Sequence, residues 1–232
     1  MLDQALEALK TYDWGTDPQV LNPIDEAVAT TYGNADARKD LEAKLSAVLT
    51  TGASRDAKDF ICRKLMLIGT AQSTPILAGL LPDKDLSHMA RYALERIPAA
   101  EAGQALRDAL AKVSGPLMVG VIGSLGVRRD AASVPALAAL LNNADGSVAR
   151  AAAIALGDIG TAEAAKALAD GKPAAPEAMQ AETDGSLACA EDLLADGKKL
   201  EALAIYKSLA GESQPKQVGV AATRGMLNCA SK

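Results

Sequence analysis

One stretch of the sequence, residues 148–160, reads VARAAAIALGDIG. Alanine dominates this stretch, and small side chains allow helix axes to approach closely. The whole chain shares the bias, because 49 of its 232 residues are Ala and 30 are Leu, against 20 Val plus Ile and six aromatic residues. Ala and Leu lose little on entering a helix, whereas sheets favour the β-branched and aromatic types that are scarce here. The composition therefore predicts an all-α fold.

Leucine recurs at a nearly constant spacing through the middle of the chain. The anchor positions are Leu65, Leu94, Leu125 and Leu156. A second set follows the anchors at one fixed offset, at Leu77, Leu106, Leu137 and Leu168. A third set lies one helical turn further on, at Leu81, Leu110 and Leu141, and Lys172 holds the fourth such position. These fixed offsets predict four structural repeats over residues 55–170.

A helix breaker divides each repeat into two helices. The breakers are Gly69, Pro98, the segment 128–130 and Gly160. Gly tolerates the left-handed conformation that ends a helix, and Pro cannot continue one. Each repeat is therefore predicted to be an antiparallel pair, with helix A before the breaker and helix B after it. Because a single pair cannot cover its own apolar faces, we expect the pairs to stack into an α-solenoid, a right-handed superhelix.

Residues 148–160 resemble helix A of a HEAT repeat, and the short period is similar to the subclass found in phycobilin lyase subunits. The likeness covers residues 55–170 and is strongest in the fourth repeat. Arg150 is the basic residue of that pattern. The other three repeats carry Asp59, His88 and Val119 at the same position. The resemblance implies an armadillo-like array of helices that serves protein binding, with no shared role for Arg150.

Both ends of the chain depart from the repeat. Residues 1–54 are predicted to form an opening helix and a degenerate capping pair, with Trp14 favoured as part of the cap over a ligand-stacking role. Residues 171–183 are predicted to be a linker. Residues 184–232 are similar to a tetratricopeptide hairpin with a closing helix. This mixed layout resembles helical segments of large, often exported, multidomain bacterial proteins.

Several function classes are disfavoured by composition. The net charge is −5 and the basic residues are dispersed, so nucleic acid is not an expected partner. No apolar run approaches the roughly 20 residues that span a bilayer, so no membrane insertion is expected. The chain is expected to be a monomer, cytoplasmic if Met1 is its native start and periplasmic or extracellular if it is an excised domain.

Candidate reactive groups are few. One His and three dispersed Cys argue against a zinc site, and no metal or cofactor is expected. Cys62, Cys189 and Cys229 are interpreted as buried thiols, although Cys189 and Cys229 could form a disulfide in an oxidising compartment. The Gly-rich segment that contains Gly120, Gly123 and Gly126 lacks the Lys-Ser/Thr of a phosphate loop and instead favours close helix packing.

No arrangement of residues supports an enzyme. The leading interpretation is a non-catalytic protein–protein interaction or scaffolding module that binds a protein or peptide on a concave surface lined by the B helices. The candidate contact residues are Arg107, Asp108, Arg128 and Arg129. Two alternatives remain: a structural spacer domain of a larger exported multidomain protein, and an accessory subunit of a lyase-type enzyme.

Overall fold

Helices make up the regular structure of the computed structural model, which describes residues 1–211 and 214–230. Over those two ranges there are 14 α-helices, two short 3-10 helices and no strand. The all-α fold that the composition predicts is therefore confirmed. None of these helices is both long enough and apolar enough to cross a bilayer.

The helices follow one another through short turns. In chain order they are α1 (Leu2–Thr11), α2 (Asn22–Thr30), α3 (Ala35–Leu49), α4 (Arg55–Ile68), α5 (Thr74–Gly79), α6 (Ser87–Arg96), α7 (Ala100–Ala109), α8 (Gly115–Val127), α9 (Val134–Leu140), α10 (Gly146–Ile159), α11 (Ala162–Asp170), α12 (Pro176–Ala195), α13 (Lys199–Leu209) and α14 (Lys216–Ala230). The 3-10 helices are Pro18–Leu21 and Ala131–Ser133.

The chain divides into two compact units, Met1–Val113 and Ser114–Lys232. Unit 1 holds α1 to α7, and unit 2 holds α8 to α14. The division falls between the second and third predicted repeats. Helix α12 begins at Pro176, inside the segment that is predicted to be a linker. Pro suits a helix start because its missing N–H would have no partner there. The right-handed superhelix and the boundaries after residues 54, 170 and 183 stay predictions.

Each unit has the two-layer packing of a helical repeat. In unit 1 the A helices α4 and α6 pack together, and the B helices α5 and α7 pack together. In unit 2 the A helices α8, α10 and α12 form a row, α9 packs against α11, and α13 joins α12 to α14. Like helices of successive repeats are therefore neighbours within each unit, as stacked helix pairs require.

The Leu pattern describes the core of both units. All eight Leu of the anchor set and the second set are 0% exposed. Of the third set, Leu81 and Leu141 are also buried, whereas Leu110 is only half-buried. Leu110 and Leu141 are both C-cap residues, so the helix end does not account for the difference in burial between them.

Two expectations about single residues are wrong. Trp14 is 90% exposed, so it covers no apolar core and does not act as a cap. Gly126 does make the predicted close approach, because a Cβ there would lie 2.9 Å from the Cα of Ala155 on α10. Gly123 does not, since a Cβ there would meet nothing within 4 Å. The helix turns Gly123 towards solvent and Gly126 towards α10.

Candidate functional site

The four predicted contact residues fall in different units. Arg107 and Asp108 lie on or beside the last turn of α7 in unit 1, and Arg128 and Arg129 lie in the turn after α8 in unit 2. Each pair belongs to its own group of helices.

Arg107 and Asp108 belong to a polar network that runs along α7. Arg107 Nη2 donates to Oε1 of Gln104 at 2.7 Å, and Nε2 of Gln104 donates to Oδ1 of Asp108 at 2.7 Å. Gln104 is absent from the predicted contact residues, although its three- and four-residue spacings to the two charged residues place it on their side of the helix. The network links a guanidinium to a carboxylate through the side chain of Gln104 on an accessible helix.

Arg129 holds three helices of unit 2 together. Its backbone is left-handed, with φ +52, and its guanidinium forms an ion pair with Asp192 of α12. Nη2 also donates to the carbonyl oxygen of Ile159, at the end of α10, at 3.4 Å. A non-glycine residue in this conformation costs roughly 1–2 kcal/mol. The side-chain interactions offset that cost, so Arg129 has a structural function at this position.

The surroundings of this ion pair do not favour nucleophilic chemistry. Burial raises the pKa of the Cys189 thiol to about 12, and the negative charge of Asp192 adds to the effect. Sγ of Cys189 donates a weak hydrogen bond to the carbonyl oxygen of Leu156 at 3.5 Å. Partial desolvation raises the pKa of Asp158, while the nearby guanidinium of Arg129 opposes that shift. Cys189 is therefore a protonated thiol at neutral pH, and thiols in that state are unreactive.

The cysteines stay separate in the structure. Cys62 and Cys189 are buried, Cys229 is half-buried, and all three are free thiols. Burial also raises the pKa of Cys62 to about 12. The disulfide between Cys189 and Cys229 stays a prediction. Among the residues that the structure describes, no group of three or more His, Cys, Asp or Glu side chains is placed to hold a metal ion.

A groove runs between the outward faces of α10 and α12, and we call it the α10–α12 groove. Its volume is about 250 Å³. The side chains that define it are Arg150, Ile154, Asp158, Gln180, Asp184 and Ala188. At its floor a Cβ on Gly157 would lie 2.7 Å from the Cα of Gly185, so the two helix backbones touch. The groove therefore has a floor of closely packed backbone and mostly polar walls.

Ile154 is the apolar centre of this groove. It is 40% exposed, a large fraction for an isoleucine in an ordered helix. The charged lining residues are Arg150, Asp158, Glu177 and Asp184, one positive and three negative, for a net charge of −2. The sequence pattern singles out Arg150 but not the groove, because the lining of α12 belongs to the predicted linker and to a hairpin that is predicted to be separate.

The third and fourth repeats match a known family. Residues 116–182 match the family model described as HEAT repeats. The matched segment lies entirely in unit 2 and extends from α8 into the first turns of α12. The HEAT-repeat resemblance is thereby confirmed for this segment. A search of curated protein sequences gives no match to the chain.

Proposed function

We propose that the chain is a non-catalytic protein-interaction or scaffolding module and that the α10–α12 groove is its contact surface in unit 2. The observation that carries this proposal is an exposed Ile154 inside a rim of charged side chains on a floor of touching backbones. HEAT repeats in the matched segment support an interaction role.

The dimensions of the groove favour a protein partner over a small ligand. Pockets for drug-sized ligands occupy roughly 300–1,000 Å³ and enclose most of the ligand. The α10–α12 groove, at about 250 Å³, is smaller. It suits a few side chains of a larger surface, with an apolar centre and a polar rim as in protein interfaces.

The net charge of the groove predicts the charge of its partner. Because the lining carries a net charge of −2, a segment with basic residues around an apolar side chain is the complementary partner. An amphipathic helix or an extended peptide with that pattern would place its apolar residue on Ile154 and its basic residues near Asp158 and Asp184.

The B-helix face remains the alternative contact surface, since the sequence favours it as the concave side. In unit 2 its exposed positions carry mostly small or charged side chains, such as Ala139 on α9 and Lys166 on α11. The large hydrophobic residues that unit 2 leaves exposed include none from α9 or α11 among the residues described. This contrast favours the groove between A helices.

We also propose that the C-terminal helices form a tetratricopeptide-like hairpin. Gly197, with φ +79, lies in the turn between α12 and α13. Ala202 and Tyr206 are buried in one cluster that also contains Val218 and Ala222 of α14. The relation to phycobilin lyase subunits rests on repeat length alone, and no feature of the described helices favours the lyase-subunit or spacer alternatives.

Affinity capture with two matched variants tests the contact surface. The immobilised chain is incubated with a lysate of its source organism, and retained proteins are quantified by mass spectrometry. Ile154→Asp places a charge in the groove, and Ala139→Asp places the same charge on the exposed face of α9. We expect a partner that wild type and Ala139→Asp retain and Ile154→Asp loses, with capture weakening as salt rises.

The opposite pattern assigns binding to the B-helix face. Equal capture by all three proteins, or no specific capture, contradicts the proposed contact surface. Thermal unfolding of each variant is measured alongside, and midpoints that agree with wild type ensure that lost capture reflects the surface and not the fold.

A further inference from the structure

Unit 1 concentrates aromatic side chains on one surface. The chain has one Trp, four Tyr and one Phe, and four of these six line two cavities that adjoin at Asp59 and Arg63. The aromatic residues are Tyr12, Trp14, Phe60 and Tyr92, and the one His of the chain, His88, lies with them. The cavities measure about 570 and 230 Å³. We call this surface the aromatic cleft.

Trp14 is presented to solvent by an anchored turn. Its backbone N–H donates to Oδ1 of Asp13 at 2.9 Å. The hydroxyl of Ser54, the N-cap residue of α4, donates to the carbonyl oxygen of Tyr12 and so ties the turn to that helix. The indole nevertheless stays 90% exposed. An aromatic face held in water beside a cavity is a surface on which a ligand can stack.

The charged residues that line the cleft are Asp56, Asp59 and Arg63, two negative and one positive, for a net charge of −1. Nε of Arg63 donates to Oδ2 of Asp59 at 2.9 Å, and Nη1 of Arg55 lies 3.8 Å from Oδ1 of Asp56. A guanidinium has five N–H donors and a carboxylate has two oxygens, so the Arg63–Asp59 pair retains hydrogen-bonding capacity for a ligand. Such a site offers hydrogen-bond donors and acceptors side by side.

We propose that the aromatic cleft binds a neutral carbohydrate. A pyranose ring has an apolar face of C–H groups that stacks on an indole, and hydroxyls around its edge that both donate and accept hydrogen bonds. Trp14 supplies the stacking surface, Arg63 the donors, and Asp59 and Asp56 the acceptors. The larger cavity lies within the roughly 300–1,000 Å³ range of small-ligand sites.

Proline-rich peptides also bind aromatic grooves. The two carboxylates of the cleft, which accept hydrogen bonds, favour a carbohydrate over such a peptide. Proline has no N–H, so such a peptide offers few donors to the two carboxylates. Hydroxyl groups donate to carboxylates readily. The site is also distinct from the proposed contact groove, because it lies entirely in unit 1.

Fluorescence reports on this site directly, because Trp14 is the one Trp of the chain. The full chain is titrated with soluble oligosaccharides of glucose, xylose, mannose and N-acetylglucosamine, and calorimetry is run in parallel. We expect at least one of them to shift Trp14 emission to shorter wavelength in a saturable manner. We expect Trp14→Ala to weaken the calorimetric affinity by about tenfold or more, as the loss of one stacking contact predicts.

Matched variants and probes decide the outcome. Tyr32→Ala removes an aromatic side chain that is 96% exposed in unit 1 but outside the cleft, and it is expected to bind as wild type does. Arg63→Ala is expected to weaken binding with no change of fold by circular dichroism.

Absence of binding to every oligosaccharide overturns the proposal, as does equal loss of affinity in Tyr32→Ala. Binding of a proline-rich peptide or tetramethylammonium in place of the sugars overturns it as well. Because the capture experiment changes residues of unit 2 only, the two proposals fail independently.

Discussion

In unit 1 two charged side chains of α3 bind the turn after α4. In unit 2 one such contact, from Arg129 to the end of α10, is combined with backbone contact between A helices at small residues. Glu42 on α3 is 1% exposed and accepts hydrogen bonds from the backbone N–H groups of Thr70 at 2.7 Å and Ser73 at 3.1 Å. Arg38 donates to the carbonyl oxygens of Ile68 at 2.7 Å and Gly69 at 3.1 Å.

The backbone contacts of unit 2 occur at glycines. Gly126 of α8 faces Ala155 of α10, and Gly157 of α10 faces Gly185 of α12. No side chain could be inserted at these contacts without separating the helices, because backbones already meet there.

The family match falls in the unit that has the small-residue contacts. The HEAT model matches residues 116–182, where Gly and Ala at helix crossings leave a pattern in the sequence. In unit 1 a buried carboxylate and a guanidinium satisfy the backbone groups at helix ends, and their identity is not dictated by the Leu spacing. The same repeat length therefore accommodates two kinds of joint.

The largest effect is expected for Glu42→Ala. The substitution leaves two backbone N–H groups without their acceptor, and each buried unsatisfied donor costs about 1–3 kcal/mol, so the free energy of unfolding should fall by about 3 kcal/mol. Chemical denaturation followed by circular dichroism measures this loss. Lys39→Ala, at an exposed position of the same helix, should stay within about 0.5 kcal/mol of wild type. Equal midpoints for the two variants would show that the polar joint does not stabilise unit 1.

A smaller effect is expected when the small-residue joint of unit 2 is filled. Gly157→Val places carbon atoms against the backbone of Gly185, and overpacking of this kind should lower the free energy of unfolding by about 2 kcal/mol. Gly123→Ala is the matched control, because that glycine lies in a helix with open space around it. It should stabilise by about 0.5–1 kcal/mol through helix propensity. If Gly157→Val is also stabilising, the helices are not in backbone contact.

The smallest effect is expected for two substitutions of Arg129, which separate the cost of its left-handed backbone from the contribution of its ion pair. Arg129→Ala and Arg129→Gly both remove the pair with Asp192, but only Gly relaxes the left-handed backbone. The Gly variant should therefore be more stable than the Ala variant by about 1 kcal/mol. Thermal unfolding of the two variants measures the difference. A more stable Ala variant would mean that the turn is not left-handed in solution.

The Leu spacing predicts the fold because burial of a few large side chains at fixed intervals leaves few ways to stack helix pairs. The same spacing does not predict polar contacts between repeats. The contact of Arg129 with a partner stays a prediction, but the Leu spacing gives no sign that Arg129 pairs with Asp192, 63 residues away. That separation is close to two repeat periods, so a search for opposite charges two periods apart would have found it.

The aromatic cleft cannot be read from the sequence for a different reason. Tyr12 and Trp14 lie far along the chain from Phe60 and Tyr92, and the hydrogen bond from Ser54 to Tyr12 that fixes the turn is a tertiary contact. Periodicity indicates which residues are buried, but an exposed aromatic residue outside the repeat carries no periodic signal.

The hydrogen bonds between successive repeats suggest how this chain can change its length. Arg38 to Ile68, Arg129 to Ile159, and the N–H of Lys172 to Oδ1 of Asn142 each span 30 residues. After duplication or deletion of one complete helix pair, each donor would again lie next to an equivalent acceptor. A shorter insertion would separate donor from acceptor. Evolution and protein engineering should therefore lengthen or shorten this protein in whole modules.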